Sequence, residues 1–270
     1  VLQNLRRVYS SRELIWNLTQ RELKTKYRNS VLGWAWSLLN PLSTVLIYSL
    51  VFGIIFEATA PIGEPSGLDS FPLFLLVGVL VWGHFALVAL LGLNAVSGNS
   101  GLVRRVSFPR EALVISNSLH GLVQFMIEIS LMVVIVLLFG GSPLRWLPTT
   151  VVLVVLLNIF STGFGLALGA MSVYFKDLSH LWAVVIQAWF FLTPIVYPPE
   201  YIEGRAPFVI ERLIDLNPMS VFVGAFRQTI YSGGNISLNS LGWLISYALI
   251  SLIGGWAIFS RLGRRFAEEV

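Results

Sequence analysis

The sequence has no cysteine, so it forms no disulfide and offers no thiolate to a metal. It is also poor in charge. Only 12% of its 270 residues are Asp, Glu, Lys or Arg, against about 25% in a soluble domain. A soluble fold of this size could not cover its surface with so few charges. No Gly-Lys pair occurs, which removes the core of a phosphate-cradling loop. No HExxH or Cys/His metal spacing occurs either, and His84, His120 and His180 are far apart in sequence. Metal ligands, a bound cofactor and ATP hydrolysis through such a loop are therefore not expected of this chain. Nor can catalytic residues be assembled: Glu57, Glu64 and Asp69 are loose candidates without a nucleophile and base. No secretory leader is expected, since the first apolar run follows the polar, cationic residues 1–32.

What is present is apolar chain, 56% of all residues. Residues 33–56 carry no charge, and a bilayer's hydrocarbon layer takes about 20 such residues to cross as a helix. Lipid offers no partner for bare backbone groups, so the crossing has to be helical. The same reading places further spans at about 71–96, 112–139, 147–173, 178–197 and 240–260. The expected fold class is an all-α polytopic membrane protein. It has six transmembrane helices, an N-terminal amphipathic interface helix, and short external re-entrant helices before the last span.

Between these spans the chain alternates in character. Ser10-Ser11-Arg12-Glu13 reads as a capping box that starts a helix. Trp16, Gln20, Leu23 and Tyr27 then share a stripe at helical spacing, with Arg21, Lys24 and Arg28 on another face and Leu14 and Leu18 near the cations. This is read as a helix along the inner membrane surface, stripe down, or else as a solvated basic arm. Residues 57–70 hold three acids and no cation, which fits the outside. Residues 97–111, with Arg104, Arg105 and Arg110, form an inside loop, as do residues 174–177. Residues 198–239 mix charges with the apolar piece 219–230, broken by Arg227 and too short to span. The tail, 261–270, ends inside. With both termini inside, 14 of the 18 Lys and Arg fall on inside segments and 4 outside, as topogenic charge requires.

Three features within the spans bear on function. Glu128 is ionisable at membrane depth. It is expected to hydrogen-bond a neighbour, His120 among the options, as a structural carboxyl or part of a proton path. Gly163, Gly165 and Gly169 allow close helix contact. Tyr48, Phe52 and Phe56 recur every four residues on the first span, and Trp182, Ile186, Trp189, Thr193 and Tyr197 make a stripe on the fifth. Flat apolar ring faces with polar edges suit sugars sliding through a pore. Interfacial belts and packing are the competing reading, and they explain Trp34, Trp36 and Trp82 well.

Several stretches in order resemble one family. They are RELKTKYRNSVLGWAWSLLNPL (21–42), LVRRVSFPRE (102–111), VYFKDLSHL (173–181), FFLTPIVYP (190–198) and LNPMSVFVGAFRQTIY (216–231). Together they resemble the polysaccharide-export permeases, the membrane subunits of type-2 ABC transporters, nearly end to end. The resemblance implies a homodimer in the plasma membrane, with two separate ATPase subunits that hold ATP and Mg. It implies export of a lipid-linked polysaccharide such as an O-antigen, teichoic acid or galactan-like polymer, with no nucleic-acid partner. By position, residues 10–28 look like the interface helix, carrying Arg21, Lys24 and Arg28. Residues 98–110 look like the main ATPase-coupling element, with Arg104, Arg105, Phe108 and Arg110. Tyr174, Lys176 and Asp177 look like a second contact. Residues 198–231 look like external gate helices, with Arg205, Arg212, Asp215 and Arg227 as their charged members. The first and fifth spans would line the substrate channel, which puts Tyr48, Phe52, Phe56, Trp182, Trp189, Thr193 and Tyr197 there. The rivals are a similar permease for drugs or small lipids and a membrane-embedded enzyme of glycolipid synthesis. A proton-coupled carrier built on Glu128 is weaker.

Overall fold

The computed structural model describes residues 10–26, 30, 32–106, 108–202, 204–263 and 266, and leaves the side chains of Trp34, Arg104 and Arg105 outside that description. The described residues form helices and no strand. In chain order the helices are α1 (Arg12–Lys26), α2 (Trp36–Tyr48), α3 (Phe71–Leu93), α4 (Ser100–Arg105) and α5 (Glu111–Leu138). There follow α6 (Leu147–Tyr174), α7 (Leu178–Leu192), α8 (Phe208–Asp215), α9 (Pro218–Phe226) and α10 (Leu238–Leu262). Wider π-helical turns extend α2 through Ser49–Ile55 and α9 through Arg227–Tyr231.

Among the described residues five helices are long and apolar enough to cross a membrane: α2 with its extension, α3, α5, α6 with its preceding turn, and α10. The chain is an integral membrane protein. The sixth expected crossing differs. α7 has 15 residues, about 22 Å at ~1.5 Å per residue, short of the ~30 Å hydrocarbon layer. It stops because Pro194 disfavours helical backbone at the residue before it; Thr193 is extended, at φ −100° and ψ 130°. The Asn217 amide then donates to the Leu192 carbonyl (3.2 Å) and to Thr193 Oγ1 (2.9 Å), satisfying groups the broken helix leaves open.

α3 sits at the centre. It is apolar all round and buried along most of its length, as a helix without a polar face must be. α2, α5, α6 and α9 pack against it, and α10 packs on the far side of α6. Small residues let α6 approach both neighbours. A methyl on Gly92 would collide with the Gly165 backbone, and one on Gly255 with the Gly163 carbonyl. Polar side chains seal these seams and the one between α5 and α3, as happens where lipid cannot drive helices together. Ser172 Oγ donates to the Leu93 carbonyl (2.7 Å), Ser251 Oγ to the Phe160 carbonyl (2.7 Å) and Asn117 Nδ2 to the Leu91 carbonyl (3.0 Å).

α1 departs from its expected orientation. Its buried residues are Ile15, Leu18 and Thr19, while Trp16 is 55% exposed. Thr19 Oγ1 reaches the Ser116 carbonyl (3.3 Å) and Lys26 Nζ donates to Gln124 Oε1. Both contacts lie on α5, so α1 runs alongside α5. The apolar residues among its cations are a docking face for protein. Tyr27, from the expected stripe, lies outside the described residues.

Candidate functional site

At one end of the bundle five separate chain segments converge on a single apolar cluster, Leu113 and Val114 of α5 among its buried residues. Leu18 of α1, Val96 and Val103 around α4, Val173 at the end of α6, and Phe259 and Phe266 at the end of the chain are all buried in it. Phe108 packs against the same cluster. Polar tethers reinforce it. Arg21 donates to Asn99 Oδ1 (3.0 Å) and pairs with Glu22 (2.7 Å). Arg110 Nη1 donates to the Gly263 carbonyl (2.7 Å) and its guanidinium lies 5.6 Å from the Phe266 ring centre. The Tyr174 hydroxyl donates to the Leu262 carbonyl (2.7 Å). Arg110 and Tyr174 therefore brace the last helix from inside, whereas Lys24, Lys176 and Asp177 project outward. Arg28 and the side chains of Arg104 and Arg105 fall outside the described residues.

The opposite end is tied together by the turn after α9. Arg227 is buried. It donates to the carbonyls of Phe74 (3.2 Å), Pro194 (2.6 Å) and Ile195 (2.6 Å), with its guanidinium 3.4 Å from the centre of the Phe74 ring. A planar five-donor fork fits three converging carbonyls, and stacking uses its flat face. The Tyr231 hydroxyl bridges the Leu68 carbonyl (2.9 Å) and the Ser70 amide (3.2 Å). Arg227 is thus internal, not part of a gate surface. Arg205, Arg212 and Asp215 are exposed, and Arg212 lies 5.9 Å from the Phe208 ring centre. α8 keeps only Ile214 buried and presents Val209, Leu213 and Leu216 outward.

The two aromatic stripes end up in different places. Tyr48, Phe52 and Phe56 climb α2 in edge and tilted contacts, with ring centres 5.9 and 5.8 Å apart. The first two are half-buried and Phe56 is exposed. On α7 the stripe turns inward. Trp182 is buried against Phe85 and Phe164, and Trp189 packs on Trp82, Phe85 and Phe164. Trp189 Nε1 donates to Asn217 Oδ1 (2.8 Å), and Thr193 is fully buried. Trp182 and Thr193 are thus buried in one chain's core, whereas Trp189 is half-buried and lines an open pocket of about 400 Å³ with Val185, Leu192 and Leu213. Trp82 belongs to the same core and not to an interfacial belt. Tyr197 stays half-exposed, its hydroxyl donating to the Phe191 carbonyl (2.7 Å). The outward face of α7 is instead Leu181, Val184 and Phe191.

Glu128 finds a partner other than His120. Gln124 Nε2 donates to Glu128 Oε1 (2.7 Å), and Gln124 in turn accepts from Lys26. His84 lies flat against Phe125, 4.5 Å between ring centres, while His120 is buried and its ring nitrogens make no hydrogen bond among the described residues. Among the described residues no group of His, Cys, Asp or Glu could hold a metal.

Residues 13–231 match the family model described as ABC-2 type transporter. The chain belongs to that family. It is similar along its whole length to the O-antigen export system permease protein RfbA of Myxococcus xanthus, 30% identical over 271 residues and 100% of both chains. A Klebsiella pneumoniae protein of the same name is 27% identical over 95% of this chain and 94% of its own. The polysialic acid transport protein KpsM of Escherichia coli is 25% identical over 88% of this chain and 89% of its own. An ABC-2 permease is a transport subunit, not an enzyme, and works with an ATP-binding partner subunit.

The cluster packs α1, α4, the end of α6 and the end of α10 against one another. Two aromatics at this end of the bundle are not singled out by the sequence reading, Phe266 within the cluster and Phe175 exposed beside it. Phe266 was read as mere tail, though an aromatic beside Arg264 and Arg265 in a short terminal segment is a signal of docking. Phe175 was read only as loop, yet it is 60% exposed next to Lys176.

Proposed function

We propose that this chain is the permease subunit of an ATP-driven exporter that carries a lipid-linked polysaccharide outward across the plasma membrane. The observation that carries this reading is the end-to-end similarity to proteins named for O-antigen export and polysialic acid transport. Two copies of the chain would form the conduit and two ATPase subunits would bind ATP and Mg below it. Both termini would be cytoplasmic, which agrees with the 14 to 4 division of cations. The charged groups projecting from the converging end, Lys24, Lys176 and Asp177, would meet the ATPase together with Arg28, Arg104 and Arg105. Arg110 and Tyr174 would stiffen the lever behind them. Tyr48, Phe52 and Phe56 on α2, with Tyr197 beyond α7, would offer ring faces to the passing glycan. Arg205, Arg212 and Asp215 would sit at the outer mouth.

The test uses cells lacking this chain but retaining its ATPase. Restoring the chain should restore surface polymer, measured by gel profile and lectin staining. The double variant Arg104→Glu/Arg105→Glu should recover several-fold less ATPase on pull-down and export correspondingly less. Normal recovery and export by that variant would rule out the coupling assignment, and absence of any polymer defect in cells lacking the chain would rule out the function.

A further inference from the structure

At the end of the bundle opposite the apolar cluster, a pocket of about 540 Å³ opens between the end of α8, one face of α9 and the start of α10. Its size lies within the ~300–1,000 Å³ range of ligand clefts. The pocket follows from how α9 is buried. Met219, Phe222, Val223 and Phe226 point into the core. Ser220, Val221, Gly224 and Gln228 fall on another face at helical spacing and line the pocket. Gly224, midway along that face, leaves it open: a methyl there would meet nothing within 4 Å. α8 adds Ile214 and Asp215, and the start of α10 adds Asn235, Ile236, Ser237 and Ser240.

The wall is mixed. Its larger share is aliphatic, from Ile214, Val221 and Ile236, and polar groups are spread among these. Among the described residues, no hydrogen bond within the chain engages the side chains of Asp215, Gln228 or Asn235, and none engages Ser220 Oγ. Ser237 Oγ accepts from the Ser240 amide (3.0 Å), and the two serine hydroxyls lie 2.9 Å apart. One hydrogen bond joins that pair, so one O–H is left to donate. The wall thus offers a carboxylate, two carboxamides and several hydroxyls, and among the described residues no cation. This set excludes three ligand classes. An anion would meet Asp215 with no positive charge to answer it. A metal ion would find one carboxylate and no histidine. An acyl chain would cover amide and hydroxyl groups without pairing them. A neutral sugar ring answers the whole wall. Its hydroxyls donate to the carboxylate and exchange hydrogen bonds with the amides and serines, while its C–H faces rest on the aliphatic side chains.

We propose that this pocket binds a neutral pyranose unit. Tyr48, Phe52, Phe56 and Tyr197 do not line it, so it is a site apart from the ring faces assigned to the passing glycan. That its natural occupant is a sugar of the exported polymer rests on the function proposed above. Binding is measured on the isolated protein, so it can fail while export stands, and stand while export fails.

The experiment is saturation-transfer-difference NMR of the full-length chain in lipid nanodiscs free of glycoside detergent, with empty nanodiscs as baseline. The probes are the methyl pyranosides of glucose, galactose, mannose and rhamnose, with methyl glucuronide as the acidic counterpart, and affinities are read by titration. At least one neutral glycoside should bind, and more tightly than the glucuronide. Gly224→Leu fills the open space from a face that meets nothing and should abolish binding. Asn235→Ala, at an exposed position, should weaken it about fivefold, the ratio one neutral hydrogen bond provides. Asp215→Asn should remove the discrimination against the glucuronide. Absence of transfer to every neutral glycoside would overturn the proposal. So would undiminished binding by Gly224→Leu, or, should that variant not fold, by Asn235→Ala. Equal binding of the glucuronide by the unaltered protein would overturn the assignment to neutral sugars.

Discussion

Arg227 shows what a single residue can organise. Three carbonyls from two segments converge on its guanidinium, and two of them, Pro194 and Ile195, belong to the extended stretch after α7. Lysine would keep the charge but present one nitrogen to acceptors spaced for a fork. Arg227→Lys should lower stability by about 3 kcal/mol, the loss of one or two charged hydrogen bonds, read as a lowered unfolding midpoint in detergent by tryptophan fluorescence. A midpoint within error of the unaltered protein would refute its bracing role. The tryptophans separate in the same assay. Trp189→Ala removes a half-buried ring packed on Trp82, Phe85 and Phe164 and one of the two hydrogen bonds that Asn217 Oδ1 accepts, and should cost about 3 kcal/mol and part of the folded yield. Tyr48→Ala removes a half-buried ring on α2 and should leave yield near normal while reducing polymer export. Both residues belong to stripes that are equally visible in the sequence. Helical spacing reveals that one face of a helix is distinct, but not whether that face meets lipid, a passage or its own core.

At the scale of the helix, legibility depended on how many solvents a face could meet. α3 was plain, because 23 residues with one histidine and otherwise no polar side chain suit only the middle of a bundle. α1 was not. Its Ile15–Leu18–Thr19 face and its Trp16 face are both partly apolar, and only the fold decides which meets α5 and which meets the surroundings. α7 carried its own stop signal in Thr193-Pro194, yet the apolar run continues to Tyr197 and hydropathy alone reads through it. The glycines of α6 were the clearest element-level signal, and they carry a prediction. Gly255→Leu would drive a side chain into the Gly163 backbone. Backbones cannot yield as a flexible side chain does, so α10 must move away from α6. The cost should reach or exceed the ~1–3 kcal/mol typical of overpacking. Gly254→Leu, one residue earlier and facing open space, is the control. Equal unfolding midpoints for the two variants would disprove the close α6–α10 seam.

At the scale of the molecule, the proposed dimer would divide the outward surfaces between lipid and a second copy. α2 and α7 present Leu46, Ile54, Leu181 and Val184 on one set of faces, and α10 presents Ile245, Ile250 and Ile253 on another. Both are apolar, so composition does not choose between them. The proposed conduit runs along α2 and α7, which would then have to meet their symmetry mates. In a twofold assembly a residue near the axis approaches its own copy, and the absence of cysteine makes that approach directly measurable. Val184→Cys, 66% exposed on α7, should yield a species of twice the monomer mass when membranes are treated with a short bis-maleimide. Ile250→Cys, 68% exposed on α10, should not. The reverse pattern would move the conduit to α10 and displace Tyr48, Phe52 and Phe56 from the glycan's path. Capture at neither position would leave the α2–α7 face to lipid and remove the dimeric passage.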